Sequence, residues 1–419
     1  MNIDVQSDRA LIRAKGSSSR YVLVSFIAPS ASHKTERVPV NIAFVLDRSG
    51  SMEGEGKIEL AKEAAVKAIG MLSPQDRFAV VVYDEKIDVV MESTLASKEA
   101  KSAALRQLRT IEARGSTDLG GGWLSGCEQA AMNLNGSATA KCLLLTDGLA
   151  NCGIVDPAEL AGHAAALRER GVLTSTFGVG GDFDERLLQA MADAGGGHSY
   201  YIEKAIQIPD YLTSELGETL EVVAHGAALQ FVLPDGVNAE PLSRFPFKHS
   251  GDSLSIDLGS LVSEQEVSVV VRFQFPEGQV GDTLSAGVCL TDDDGVLNSG
   301  PVEMAWRFAD DKENEAQPRN HQVDKAVAEL YAAKAREEAV EHNRMGRYDL
   351  ARAAMARTAE RIHQYAGSHS DLKKIASGLR QESALFQTPL CASEMKAQYF
   401  QSQHTLRHRD STGKSRRRS

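Results

Sequence analysis

Between residues 40 and 202 the chain alternates short apolar runs with longer stretches whose apolar positions recur every three or four residues. The run 40–46 reads as a strand buried on both faces, since it is too short and too uniformly apolar for a surface helix. Helical spacing follows over 57–72 (Ile58, Ala61, Ala65, Ile69, Leu72) and stops at Ser73-Pro74. Residues 77–83 and 87–91 read as strands joined at Asp84-Glu85-Lys86, a short hairpin with an edge strand. Helices are expected over 97–111 and 121–134, with a second apolar strand running from Cys142 to Asp147. Segments 157–170, 172–179, 184–194 and 199–202 continue the alternation, which predicts an α/β fold with a doubly wound, mostly parallel sheet.

From Ala227 onward the period changes to two, in runs beginning at Leu229, Leu254, Val267, Ser285 and Val302. Turn signals at Pro234-Asp235-Gly236, Pro276-Glu277-Gly278 and Asp294-Gly295 separate them, so an antiparallel β-sandwich is expected. Residues 10–15 and 21–28 have the same strand character. The expected organisation is therefore amino-terminal sandwich strands in 1–36, an inserted α/β domain in 37–224, and the rest of the sandwich in 225–309. A charged linker (310–320) leads to a helical hairpin region (321–387) with helices over 322–344, 350–365 and 372–385, and 388–419 reads as a disordered basic tail. The turn Gly346-Arg347-Tyr348-Asp349-Leu350-Ala351 resembles a single tetratricopeptide-like hairpin, which needs neighbours to bury its face. Arg416-Arg417-Arg418 offers a contact for an anionic surface. The run Asp292-Asp293-Asp294 reads as a solvated turn, with calcium as the alternative.

Composition narrows the function classes. At 419 residues two or three domains are expected, with 42% hydrophobic and 25% charged residues as in soluble globular proteins. A formal charge of −11 argues against a general nucleic-acid binder. Residues 1–15 mix apolar side chains with Asp4, Asp8, Arg9 and Arg13, so neither a signal peptide nor a membrane span is expected. Five cysteines without C-x-x-C spacing disfavour zinc and a disulfide framework, and fit a reducing cytoplasm. Cys142 reads as a small apolar residue within its strand, and Cys152 as the more exposed thiol.

The candidate chemistry lies at strand ends. Asp47-Arg48-Ser49-Gly50-Ser51 follows the first strand directly, Gly115-Ser116-Thr117-Asp118 lies in the loop between two helices, and Asp147-Gly148 closes the second strand. Open α/β sheets bind ligands beyond the carboxyl ends of their strands. Five hard oxygen donors without an imidazole suggest magnesium or manganese. Gly50 permits a tight turn that aims Ser49 and Ser51 at one centre. The simpler reading, that Asp47 caps the next helix, explains neither Thr117 nor Asp147.

The order D-x-S-G-S, then T, then T-D-G resembles the metal-ion-dependent adhesion site of von Willebrand factor type A domains over about residues 37–224. The resemblance implies that Ser49 and Ser51 bind the ion directly, that Thr117 does so directly or through water, and that Asp47 and Asp147 hold coordinated waters. It also implies a non-enzymatic protein-binding module, a scaffold or regulatory subunit, whose protein partner donates an Asp or Glu to the ion. The inserted arrangement is similar to bacterial proteins of the calcium-activated-chloride-channel-homologue type and, in outline, to the inserted domain of integrin β chains. The alternative is a metal-dependent hydrolase or phosphoryl-transfer enzyme with Asp47 as nucleophile. Against it, Ser49 stands where such phosphatases carry a second carboxylate, no G-x-S-x-G elbow is present in this loop, and no lysine has an evident role near the site.

Overall fold

A computed structural model describes residues 1–31, 37–132, 134 and 139–417, so Arg418 of the basic run lies outside them. The chain divides into two units. One is drawn from residues 1–31, 221–391 and 398–417, the other from 37–220 with 392–397.

The chain opens with strands β1 (Asp4–Ser7), β2 (Leu11–Arg13) and β3 (Ser18–Ile27) of the first unit. The second unit follows, with strands β4 (Val40–Asp47), β5 (Arg77–Tyr83), β6 (Ile87–Leu95), β7 (Thr139–Thr146), β8 (Val172–Val179) and β9 (Gly196–Ile202). Its helices are α1 (Lys57–Met71), α2 (Lys98–Leu108), α3 (Leu119–Ala131), α4 (Pro157–Glu169), α5 (Glu185–Ala194) and α6 (Ile208–Leu220). The sheet order is β6-β5-β4-β7-β8-β9, parallel throughout except for the antiparallel edge strand β6. This is the doubly wound, mostly parallel sheet the apolar runs predict, because strands covered on both faces carry apolar residues at every position. Strand order reverses at β4, which lies between β5 and β7, and that crevice is where such sheets bind ligands. Helix α3 packs hard on this point: a Cβ at Gly122 would run into the Tyr83 ring, and one at Gly126 into Val45. Glycine at these positions lets the helix approach closely and brings the preceding loop over the ends of β4 and β5.

At the amino end of β7, away from that crevice, a charged cluster is buried. Glu215 of α6, fully shielded, accepts from Ser175 Oγ at 2.6 Å and Tyr200 OH at 2.5 Å, and pairs with the Lys141 ammonium. Removing one partner of a buried pair leaves an uncompensated charge, which costs about 3–5 kcal/mol. Lys141→Met is therefore expected to destabilise this unit by about 3 kcal/mol, measured by denaturant unfolding followed at Trp123; an unchanged midpoint would contradict it.

The first unit resumes with β10 (Val222–Val232), β11 (Asn238–Pro241), β12 (Phe247–Ser250), β13 (Ser253–Val262), β14 (Glu266–Phe275), β15 (Thr283–Thr291) and β16 (Val302–Ala309). Two sheets, β1-β3-β14-β11 and β12-β13-β10-β15-β16-β2, enclose one core that includes Val22, Val24, Phe273, Phe231 and Trp306. Strands from both sides of the α/β segment pair here: β3 with β14 over ten residues, and β2 with β16. The β2–β16 pair is parallel, so the sandwich is not wholly antiparallel as its period-two pattern suggested. The acidic turn is held internally, since Asp292 accepts from the amides of Val296 and Leu297 and Asp294 pairs with His225 at 2.7 Å.

The remaining helices are α7 (Asp311–Ala316), α8 (His321–Arg344), α9 (Tyr348–Ala366), α10 (Ser370–Glu382) and α11 (Ala392–Leu406). Two expectations are corrected here. The stretch read as a linker carries α7, capped by Asp310, which accepts from Glu313 N. The stretch read as a disordered tail carries α11, and Arg417 beyond it bridges to Gln265 and pairs with Glu221 at 2.6 Å. Few apolar residues suffice to anchor it: Leu406 shares a cluster with Val323 and Val327 of α8 and with Leu23 and Val270 on the outer face of the β3–β14 sheet. All five cysteines are free, and Cys127 and Cys142 lie buried against each other. Among the described residues no helix is long and apolar enough to cross a membrane.

Candidate functional site

Asp47 ends β4, and its carboxylate is fully buried. Its Oδ1 accepts from Ser49 N at 2.7 Å and its Oδ2 from Thr146 Oγ1 at 2.6 Å, so both oxygens are oriented by neighbours in the two adjoining strand ends. Burial raises its pKa to about 6 against the hydrogen bonds from Thr146 and Ser49, and the charge on Asp147 pushes the same way. Ser49 Oγ lies 3.0 Å from Ser51 Oγ, which donates to Asp147 Oδ1 at 2.6 Å. Ser49, Thr117 and Asp147 are buried, whereas Ser51 is exposed, so the cluster opens to solvent at Ser51.

Thr117 reaches the same place from a different loop. Asn151 Oδ1 accepts from Thr117 N at 2.8 Å, and Thr117 O accepts from the amides of Asn151 and Cys152, which ties the loop to the segment after Asp147. A Cβ built at Gly148 would stand 3.6 Å from Ser51 Oγ and 3.7 Å from Thr117 Oγ1. The two hydroxyls thus flank a space that glycine leaves open. The structure brings all five sequence-predicted residues together around it.

The loops are laced from below by a network that sequence reasoning did not single out. Arg48 Nε and Arg114 Nε donate to the buried Asp84 at 3.0 and 2.7 Å. Burial opposes the ionisation of Asp84, but the bonds from Arg114, Lys86 N and Arg48 outweigh it and hold its pKa below the ordinary value. Gly50 N donates to Gly115 O at 3.1 Å, and Gly115 has φ +71° with the Glu85 carboxylate lying against it. The positive φ is what favours glycine there, since the exposed Glu85 carboxylate could swing aside.

Lys57 is the residue that sequence reasoning missed within the site. Its Nζ donates to Asp147 Oδ2 at 2.7 Å, so a lysine does have a role beside the cluster. Cys152, half-buried, lies 3.4 Å from Ser116 Oγ. A separate group, His198, Glu215 and Glu218, brings ligand atoms within 4.8 Å of one another. There Glu215 is already engaged by Ser175, Tyr200, His198 and the Lys141 ammonium, which gives that group a structural role.

Chemically, the main cluster offers three hydroxyls and two carboxylates and no sulfur or imidazole, the donor set that hard cations prefer. The family model described as von Willebrand factor type A domain matches residues 41–214, within the 37–224 expected. Protein YfbK of Escherichia coli is 32% identical over 199 residues, 47% of this chain and 34% of its own length. Protein sll0103 of Synechocystis is 26% identical over 307 residues, covering 70% of this chain and 71% of its own. The chain thus spans about a third of the first relative and about two thirds of the second. A solved structure, von Willebrand factor type A from Catenulispora acidiphila, superposes with a TM-score of 0.73 at 18% identity, over 99% of this chain and 97% of that one, which bears on the fold. The family match over 41–214, the sheet order and these likenesses give that segment a von Willebrand factor type A-like α/β fold.

Proposed function

We propose that this domain is a non-enzymatic, magnesium- or manganese-dependent protein-binding module whose partner contributes an Asp or Glu side chain. The observation that carries the reading is the oxygen cluster at the switch point of the sheet, assembled from three loops and open at Ser51. The residues fit such an ion: the donors are all hard oxygens, and glycine at 148 keeps clear the space between the Ser51 and Thr117 hydroxyls. Ser49, Ser51 and Thr117 would hold the ion, with Asp47 and Asp147 behind them as carriers of its waters. Bound there, the ion would supply a positive centre able to accept a carboxylate oxygen from outside.

The protein side chains have defined tasks. Ser49 N and Thr146 hold Asp47 in one orientation, and with both oxygens engaged it is poorly placed to attack a phosphate or an ester. Asn151 positions Thr117, the contribution of a second loop. The insertion of the α/β segment between strands that pair with each other supports reading it as a scaffold or regulatory subunit.

Calorimetric titration of the full chain with magnesium chloride tests the site. One ion is expected per chain. Asp147→Ala should weaken binding at least tenfold while circular dichroism stays unchanged, since loop ligands can be lost without loss of the core. Thr117→Ala should weaken capture of a carboxylate-bearing partner more than it weakens the ion itself. Capture that persists at full strength in excess chelator would remove the metal from the mechanism.

A further inference from the structure

Lys57 stands at the first position of α1, where a helix favours negative charge and a lysine is disfavoured. Its side chain is nevertheless mostly buried, 15% exposed, and turned toward Asp147, whose carboxylate is fully shielded. The ammonium takes Oδ2 at 2.7 Å while Ser51 Oγ takes Oδ1 at 2.6 Å, so both oxygens of Asp147 are engaged. Gly180, in the loop after β8, lies beside the lysine head, since a Cβ there would stand 3.9 Å from Nζ, an ordinary contact. A residue that breaks a local preference and is packed into one contact is held there by that contact.

We propose that Lys57 is a built-in counter-ion of this site: in the metal-free domain it neutralises Asp147 and keeps the loops closed on each other, and by its charge it lowers the affinity for a divalent cation. The inference rests on the metal-binding reading above. With Lys57 present, two carboxylates and one ammonium leave the cluster a single net negative charge. Without it the charge is twofold, and a divalent ion is attracted correspondingly more. Weak retention by the protein alone makes an external carboxylate a larger share of the ion's surroundings, so loading depends on the partner.

The test compares the wild-type chain with Lys57→Met and Lys57→Arg, using magnesium chloride alone as the probe. Calorimetry should show Lys57→Met binding magnesium about tenfold more tightly, while Lys57→Arg, which keeps the charge, stays within about threefold of wild type. In chelator, Lys57→Met should melt below wild type, and magnesium should raise its melting temperature by more. If the wild type binds magnesium and a folded Lys57→Met binds it no more tightly, the counter-ion role is wrong and the metal site stands. If neither binds at millimolar magnesium while both melt cooperatively, the metal reading fails and this inference with it.

Discussion

Asp47→Asn is expected to make the metal-free domain more stable at pH 7 while abolishing its response to magnesium. The Asp47 carboxyl is fully buried, and its pKa is raised to about 6, burial being the largest cause. An acid whose pKa is higher in the folded state binds its proton more tightly there, so its favourable contribution is complete below the unfolded value near 4 and lost as pH rises through 6. A rise from near 4 to about 6 corresponds to roughly 3 kcal/mol, and removing the charge should recover most of it. Asparagine can keep the geometry: its oxygen accepts from Ser49 N, and the Thr146 hydroxyl can rotate to accept from the new amide. Denaturant unfolding in chelator between pH 4 and 7 reads this directly. The wild type should lose stability over that interval relative to the variant, and parallel curves would refute the argument.

Deleting residues 1–30 is expected to unfold the sandwich unit while leaving the segment 37–224 folded. Strand β3 is central in its sheet, paired with β1 on one side and over ten residues with β14 on the other. It buries Val22, Val24 and Phe26 in the sandwich core and Leu23 on the opposite face against α8. At about 1.5–3 kcal/mol for each large apolar side chain, these alone amount to a sizeable share of the 5–15 kcal/mol typical of a whole domain. Hydrogen exchange at the amides of β14 should become fast, whereas those of β4 and β7 should stay protected. Unchanged protection in β14 would mean that the two flanks do not depend on each other.

The α/β alternation was legible because strands covered on both faces leave short apolar runs, and the positions of Asp47 and Asp147 followed from where those runs end. Helix α6 escaped the pattern, because its apolar positions Ile208, Leu212 and Leu216 are interleaved with the buried Glu215 and Glu218, and the pairing of Glu215 with Lys141 leaves no periodic signal. The contact of Lys57 with Asp147 joins positions 90 residues apart, and a single lysine at a helix start carries no periodic signal. Helix α11 reads as disorder because composition weighs apolar content, while much of its anchoring is polar: Lys396 pairs with Glu185 and Gln403 accepts from Arg244, beside the buried Phe400 and Leu406. The parallel β2–β16 pair was equally hidden, for alternation along a strand states which face is buried and not which way its neighbour runs.

The pairing of β3 with β14 also sets the order of events during synthesis. Ile27 waits for Glu266, about 240 positions later, and at about 5–20 residues per second of translation the delay is on the order of tens of seconds. Throughout it a ten-residue strand with apolar side chains on both faces has no native neighbour on its β14 side, while the α/β segment emerges with all its own sheet partners and can fold as a unit. That strand is thus exposed on one side until β14 arrives, and holding it against premature association is a task for whatever binds chains at the ribosome.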